Sequence, residues 1–357
     1  MQKKIIALAI AAALTAPAMA FAEATVYGQV NLAVERMDDG NSPTSTTANQ
    51  LNSYGSRFGA RGSEALDGGM SAIWELEGSV EADTGASNLF GREANLGLTS
   101  DSMGTVRLGR RASPYKLATR RLDMFGDTAA DTRGSVPGPT PGAGITMMGN
   151  GHDISPANTI SYTSPSMSGF SVVAATLFGA ESPNATSTKG SLVSLAGMFE
   201  QGPIYATVAY DTVKAGSAGS GDLGAGSSNI YNLTGAAVDD KATAFKVGGS
   251  YAMDAFAVNA VIEKIKNTKA IGSVESSGTN LYLAGKFNVS STDAVKAAYT
   301  KRGNTTGATN NATQIAVGYD HGMSKNTMVY ALYTKVTQNA TNAPDPSVLS
   351  VGIKHSF

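Results

Sequence analysis

Cysteine is absent from the 357 residues, which excludes a disulfide framework and every thiolate metal site. Histidine is scarce too: His152, His321 and His355 stand far apart without metal-ligand spacing, so they read as loop or barrel-surface residues rather than ligands. Charged residues make up 15% of the chain and nearly cancel to a formal -1, which argues against a nucleic-acid binder working by phosphate neutralisation. No G-x-S-x-G elbow and no P-loop occurs, so no catalytic residue, cofactor or metal is expected. Beyond the amino-terminal segment, no run approaches the roughly 20 consecutive apolar residues of a membrane helix. What abounds is glycine, 41 residues, which with so low a charge density suits a turn-rich sheet protein.

The amino-terminal segment "MQKKIIALAIAAALTAPAMAFA" sets Lys3 and Lys4 before an apolar run from Ile5 to Ala16, followed by two small-x-small sites. It reads as a secretory signal peptide over residues 1–22, with cleavage after Ala22. The alternative, an anchoring helix, has too short an apolar core, interrupted at Pro17, and no stop-transfer pattern behind it.

From residue 23 onward the dominant period is two. In "TVYGQVNLAVE", Val26, Val30, Leu32 and Val34 share one face, while Tyr27, Gln29, Asn31 and Glu35 share the other. The same alternation returns in "GMSAIWELEGSVE", "AFAVNAVIEK", "TNLYLAGKF", "AVKAAYTK" and "QIAVGYDH". Roughly sixteen such segments occur, starting near Thr25, Ser53, Gly69, Phe90, Gly104, Ala157, Gly169, Ser191, Pro203, Ala242, Asp254, Gly278, Asp293, Thr313, Asn326 and Val348. Tight turns at "SEALD", "SDSM", "PSMS", "QG", Met253, "NVSST" and "GMSK" alternate with longer stretches such as "RMDDGNSPTSTTANQLN" and "TQNATNAPDP". Segments of about ten residues suffice to cross a hydrocarbon layer when tilted, and only a sheet without edges satisfies its backbone there.

The expected fold is therefore all-β: a transmembrane antiparallel up-and-down β-barrel of about 16 strands, filling residues 23–357, with short turns at one end and long loops at the other. A soluble secreted sandwich or a repeat stack also alternates, but shows no such one-ended loop bias. No repeat of fixed short length is present. Tyr210, Tyr251, Tyr299 and Tyr319 fall on the apolar parity and are candidates for an interfacial girdle. The longest unpatterned stretch, residues 111–156, is the third long loop, and a loop of that length needs a task. Its first part, "YKLATRRLDMFGDTAAD", is a candidate short helix, while "GSVPGPTPGAG" holds no regular structure.

These segments resemble the general trimeric porins of Gram-negative bacteria, especially their beta-proteobacterial branch. "TVYGQVNLAVE" is similar to that branch's first strand, "SRFGARGSEALDGGMSAIWELE" to its second hairpin, and "GTVRLGRRASP" and "NTISYTSPSMSGFSV" to the strands entering and leaving the constriction loop. "VGIKHSF" is similar to the closing strand. The resemblance implies 16 strands with short periplasmic turns, long extracellular loops and an inward-folded third loop. It also implies passive passage of small hydrophilic solutes and ions, and a homotrimer in outer-membrane lipid and lipopolysaccharide. Phe357 would be the assembly signal read by the outer-membrane barrel machinery.

Strand parity puts Arg57 and Arg61 opposite Phe58 and Ala60, and Arg107 opposite Val106 and Leu108, with Arg110 and Arg111 at that strand's end. Charges on a lipid face cost about 2–4 kcal/mol at the midplane, so these arginines belong in the lumen. Glu75 and Glu77 share the polar parity of their segment. The family places a basic wall opposite an acidic loop, a role Asp123, Asp127 and Asp131 would take here. The loop also carries Lys116, Arg120, Arg121 and Arg133, so bases outnumber acids around the expected constriction and a mild anion preference follows. One departure weakens the basic wall: Ser161 stands where family members often carry arginine. The alternative within transport is a substrate-specific channel; an outer-membrane barrel enzyme is a more distant one.

Overall fold

The computed structural model describes residues 23–41, 45–133, 145–149, 151–177, 190–216, 240–268, 276–303 and 311–357; the segment expected to be a signal peptide and the Pro/Gly-rich run fall outside them. A closed antiparallel barrel of 16 strands forms. The strands are β1 (Glu23–Asp38), β2 in two pieces (Thr47–Ser53 and Arg57–Ala65), β3 (Met70–Val80), β4 (Ser87–Ser100), β5 (Gly104–Arg110) and β6 (Thr159–Thr163). Next come β7 (Phe170–Leu177), β8 (Ser191–Gln201), β9 (Ile204–Lys214), β10 (Lys241–Ala252) and β11 (Phe256–Thr268). The ring is completed by β12 (Ser276–Asn288), β13 (Asp293–Arg302), β14 (Ala312–Gly322), β15 (Thr327–Gln338) and β16 (Ser347–Ser356).

Each strand pairs with its sequence neighbours, and β1 closes the ring on β16 from Gln29 opposite Ser356 to Asp38 opposite Ser347. Beyond the ladder, the Phe357 and Gly28 backbones exchange two hydrogen bonds at 3.0 and 3.1 Å. Gly28 is required there, because a Cβ on it would sit 2.5 Å from the Phe357 ring. The seam thus depends on a close approach that only glycine permits.

The outward row is apolar and exposed: Val26, Val30 and Val34 on β1, Val258 and Ile262 on β11, and Ile315, Val317 and Tyr319 on β14. The inward row holds polar groups and small residues, such as Asn31, Ala33 and Glu35 on β1. So much exposed apolar surface around a whole ring has no meaning in water and a direct one in a bilayer. Tyr210, Tyr251, Tyr299 and Tyr319 all lie in the exposed row.

Two strand starts differ from the sequence expectation. β2 begins at Thr47, inside the stretch read as a long loop, because Thr47–Ser53 pair with the upper half of β1. It then breaks at Tyr54–Ser56, where Ser56 Oγ accepts from Asn31 N at 2.9 Å and fills the gap in the ladder. β4 begins at Ser87, and its register with β3 jumps between Glu77–Glu93 and Ser79–Asn88, leaving a bulge whose Phe90 has φ of +60°. The second long-end connection is only Glu81–Ala86, shorter than its neighbours.

If the outward row meets oil, Ile262→Arg in mid-strand should cost about 2–4 kcal/mol of folding stability in lipid vesicles, measured by reversible denaturant titration. An unchanged midpoint would contradict this sidedness.

Candidate functional site

The third long loop, between β5 and β6, enters the lumen. It opens with α1 (Pro114–Arg120), where Ser113 Oγ accepts from Lys116 N at 3.1 Å and Pro114 fills the first helical position. Tyr115 and Ala118 face the wall and are fully buried. Tyr115 Oη donates to Glu263 Oε1 at 2.6 Å, and its backbone N–H donates to Ser194 Oγ at 3.1 Å. Helix α1 therefore rests against β8 and β11.

Further along, wall side chains satisfy the loop's backbone. Tyr205 Oη donates to the Ala118 carbonyl at 2.6 Å, Asn259 Nδ2 to that of Leu122 at 2.7 Å, and Gln314 Nε2 to that of Ala130 at 3.1 Å. Met124 N–H donates to Tyr282 Oη at 2.8 Å, and Asn31 Nδ2 reaches the Asp127 carbonyl at 2.6 Å. Leu122 and Phe125 press toward Gly248 and Gly318, where an added Cβ would come within 2.7 and 3.0 Å of their side chains. The apolar core of the molecule is thus inside the barrel, beneath the loop. A buried loop must find partners for its peptide groups, and here the wall supplies them.

The returning limb is fixed by charge. Lys246 Nζ lies 2.6 Å from Asp153 and 3.8 Å from the Tyr115 ring centroid. His152 Nδ1 lies 2.8 Å from Asp211 Oδ2, with both side chains essentially inaccessible. Glu263 accepts from Gly149 N–H at 2.9 Å and from Asn280 Nδ2 at 2.8 Å. The loop is thus held chiefly to β8–β15 and β1; toward the β2–β5 wall it is tied by Asp127 to Arg57 at 2.9 Å and by Ala112 N–H to Glu93 at 3.0 Å, and we take the passage to lie on that side.

Across that passage Lys116 and Arg120 lie within electrostatic reach of each other and of Arg92, and Arg120 also of Arg57. Asp127 pairs with Arg57 at 2.9 Å, and Glu77 with Arg92 at 2.5 Å. Burial raises the Asp127 carboxyl, but Arg57 outweighs it and holds the group below its usual range. Burial, then Arg120 and Arg92, push the Lys116 ammonium down to about 8. Arg120 makes no hydrogen bond or ion pair among the described residues. On the wall, Arg107 Nη1 donates to Asn95 Oδ1 at 2.6 Å and lies 3.7 Å from Glu75, opposite the buried Ser161 in register. Arg110 Nη1 reaches the Ser155 carbonyl at 2.6 Å, and Arg111 lies beside Glu93 at the loop's root.

Other expected constriction residues lie elsewhere. Arg121 turns to the short-turn end, stacks over Tyr205 at 4.4 Å and pairs with exposed Glu200 at 2.6 Å. Asp123 and Asp131 face Arg133 within the loop at 4.0 and 3.6 Å, and Asp123 also accepts from Thr132 N–H and Oγ1. These three hold the loop's own shape, so they do not form an acidic face toward the passage. Arg61 lies over the Tyr27 ring at 5.0 Å, below the passage. The expected division into basic wall and acidic loop is therefore replaced: the loop presents Lys116 and Arg120 as well as Asp127.

Arg92 was not anticipated. Parity counted back from Leu96 and Leu98 points it at lipid; the β4 bulge turns it inward onto Glu77. A charge on the apolar parity beside Gly91 was the available signal. If burial holds the loop, Phe125→Ala should weaken its docking by about 3–5 kcal/mol, giving larger and noisier single-channel currents from a barrel of normal heat resistance. Unaltered conductance and noise would refute it.

A family model described as Gram-negative porin matches residues 7–341. Outer membrane porin protein 32 of Delftia acidovorans is 28% identical over 339 residues, covering 92% of this chain and 88% of its own. Major outer membrane protein P.IA of Neisseria meningitidis serogroup C is 31% identical over 192 residues, 48% of this chain and 45% of that one. Among solved structures, an anion-selective porin from Comamonas acidovorans shares the fold with a TM-score of 0.74 at 22% identity, over 94% of this chain and 100% of that one.

Proposed function

Because this chain belongs to the Gram-negative porin family and is an outer-membrane diffusion channel rather than an enzyme, we propose that its passage favours small anions and that Arg57, Arg92, Lys116 and Arg120 set the preference. The single observation that carries this reading is the cluster of the four cations Arg57, Arg92, Lys116 and Arg120: Asp127 and Glu77 pair with Arg57 and Arg92, while Asp153 and Arg133 also act on Lys116. In a narrow, low-dielectric aperture such an imbalance raises the local concentration of anions. The anion-selective porin with the same fold agrees with it. Arg107, Arg110, Arg111, Glu75 and Arg61 shape the field along the wall on either side. Neither stacked aromatics nor a defined ligand constellation lines the passage among the described residues, which favours general diffusion over a substrate-specific channel.

We further propose a homotrimer formed through β16 and β1–β5. From β6 to β15 every strand turns an aromatic outward: Tyr162, Phe170, Phe199, Tyr210, Tyr251, Phe256, Phe287, Tyr299, Tyr319 and Tyr333. From β16 through β5 the outward row is mainly aliphatic, as in Val30, Val34, Leu96, Leu98, Leu108 and Val351, with Phe58, Trp74, Phe90 and Phe357 as exceptions. An interfacial belt marks contact with lipid headgroups, and its interruption fits a sector covered by other subunits. The signal peptide at residues 1–22 and recognition of Phe357 by the assembly machinery complete the proposal.

One planar-bilayer experiment tests both parts. Reversal potentials in a salt gradient should show anion preference that declines as pH rises through about 8 and Lys116 loses its proton. Arg120→Gln should move the potential toward zero, and openings should arrive in groups of three. Cation selectivity would overturn the first proposal, and independent single openings the second.

A further inference from the structure

Asp127 has three cations around it and touches one. Its carboxylate pairs with Arg57 at 2.9 Å, while Lys354 and Arg120 stand within electrostatic reach without contact. Neither Arg120 nor Lys354 has a side-chain hydrogen bond or ion pair among the described residues. Lys354 is on the inward parity of β16, directly opposite Asn31 in the register with β1.

What commits the carboxylate to Arg57 is uncharged. Gly55, in the break of β2, has φ of +61°, and the Asp127 carboxyl fills the space beside it: an added Cβ would fall 2.5 Å from Asp127 Cγ. The Gly55 carbonyl accepts from Arg57 Nη1 at 2.9 Å. Gln29 bridges the pair, its Oε1 accepting from Arg57 Nη2 at 3.3 Å and its Nε2 donating to Asp127 Oδ2 at 3.4 Å. Asp127 itself has φ of +58°, a left-handed conformation that a residue with a Cβ keeps only where its surroundings hold it. Its N–H donates to Asp131 Oδ2 at 2.9 Å, and its carbonyl accepts from Asn31 Nδ2 at 2.6 Å. Tyr330 Oη donates to Asn31 Oδ1 at 3.0 Å and so fixes which end of the buried amide meets Asp127. Tyr330 has room because Gly352 lacks a Cβ, which would collide with its ring.

We propose that Gln29, Asn31 and Gly55 form a clasp that commits Asp127 to Arg57, and that Lys354 is, with Arg120, a cation which this commitment leaves free to act on passing anions. The assignment rests on the anion preference proposed for the aperture and says what maintains it. Gln29 and Asn31 are buried and carry no charge, so they are positioning residues that act through Asp127. Released from the clasp, the carboxylate has Arg120 and Lys354 as alternative partners, and each visit cancels a cation of the passage.

The test is reversal potentials and single-channel recording of the full-length protein in planar bilayers, each variant compared with the unaltered channel. Asn31→Ala should lower the anion-to-cation permeability ratio by about threefold, the weight of one unit charge about 6 Å from an ion in water, and should add open-channel noise as the carboxylate changes partner. Lys354→Gln should lower the ratio by a similar factor without added noise. Adding Asp127→Asn to Asn31→Ala should abolish the noise and bring the ratio back at least to that of the unaltered channel. A loop that is merely loosened, as in Phe125→Ala, should stay noisy after the same change. Should Asn31→Ala fail to yield a folded barrel, Tyr330→Phe, which keeps the ring and removes only the hydroxyl that orients Asn31, carries the test with the same expected signs. An unchanged ratio in Asn31→Ala or in Lys354→Gln, or noise that persists once Asp127 is Asn, would overturn the proposal. Cation selectivity of the unaltered channel would instead overturn the aperture preference, and the changes between variants would still read the clasp.

Discussion

In hydrocarbon no water is available to a peptide group, so every N–H and C=O of a spanning sheet must find a partner within the sheet. That constraint accounts for the closed ring. It makes β1 pair with both β2 and β16, and it extends to Phe357 and Gly28, whose backbone exchange continues the seam past the last ladder pair. Closure then leaves two surfaces of opposite character, and the period of two in the strands is the sequence-level consequence. A barrel this wide would enclose a broad water column, so what decides passage is what fills it.

The third loop fills it, and the inner wall is built to receive that loop. Its knobs, Tyr115, Leu122, Phe125 and Met147, are as buried as any core residue, and each removes apolar surface worth about 1.5–3 kcal/mol. Its carbonyls meet Tyr205, Asn259, Gln314 and Asn31. The ionic contacts of Lys246 with Asp153 and of His152 with Asp211 hold the loop to β10 and β9. Fixing the loop to one wall leaves the other wall open, and that geometry brings Arg57 and Arg92 opposite Lys116 and Arg120. The selectivity proposed above would thus follow from how the loop is anchored.

The strands were legible because lipid imposes a binary rule that residue type alone reveals: Val30 out and Asn31 in, Ile262 out and Glu263 in. The first half of β2 was not, because "TTANQLNS" is polar and stands above the apolar band, where only pairing with β1 defines a strand. Parity points Arg57 and Arg107 to the side where they meet Asp127 and Asn95, but it does not describe Arg92, since a bulge cancels the rule over the residues it spans. Within the loop, composition could count charges but not pair them. Arg133 is consumed by Asp123 and Asp131, and Arg121 by Glu200, through contacts that depend on the loop's path. Ser161 without an arginine was visible; that Arg120 on α1 adds a cation from the opposite side was not.

The two-faced wall can be tested residue by residue, because a chain without cysteine accepts single labelled cysteines with no background. Positions 294 to 299 on β13, each labelled with a fluorophore and reconstituted in vesicles, should respond to a lipid-borne bromine quencher with a period of two. Val295, Ala297 and Tyr299 should be strongly quenched, while Ala294, Lys296 and Ala298 should be spared. Uniform quenching along the segment, or quenching of the even positions instead, would contradict the account.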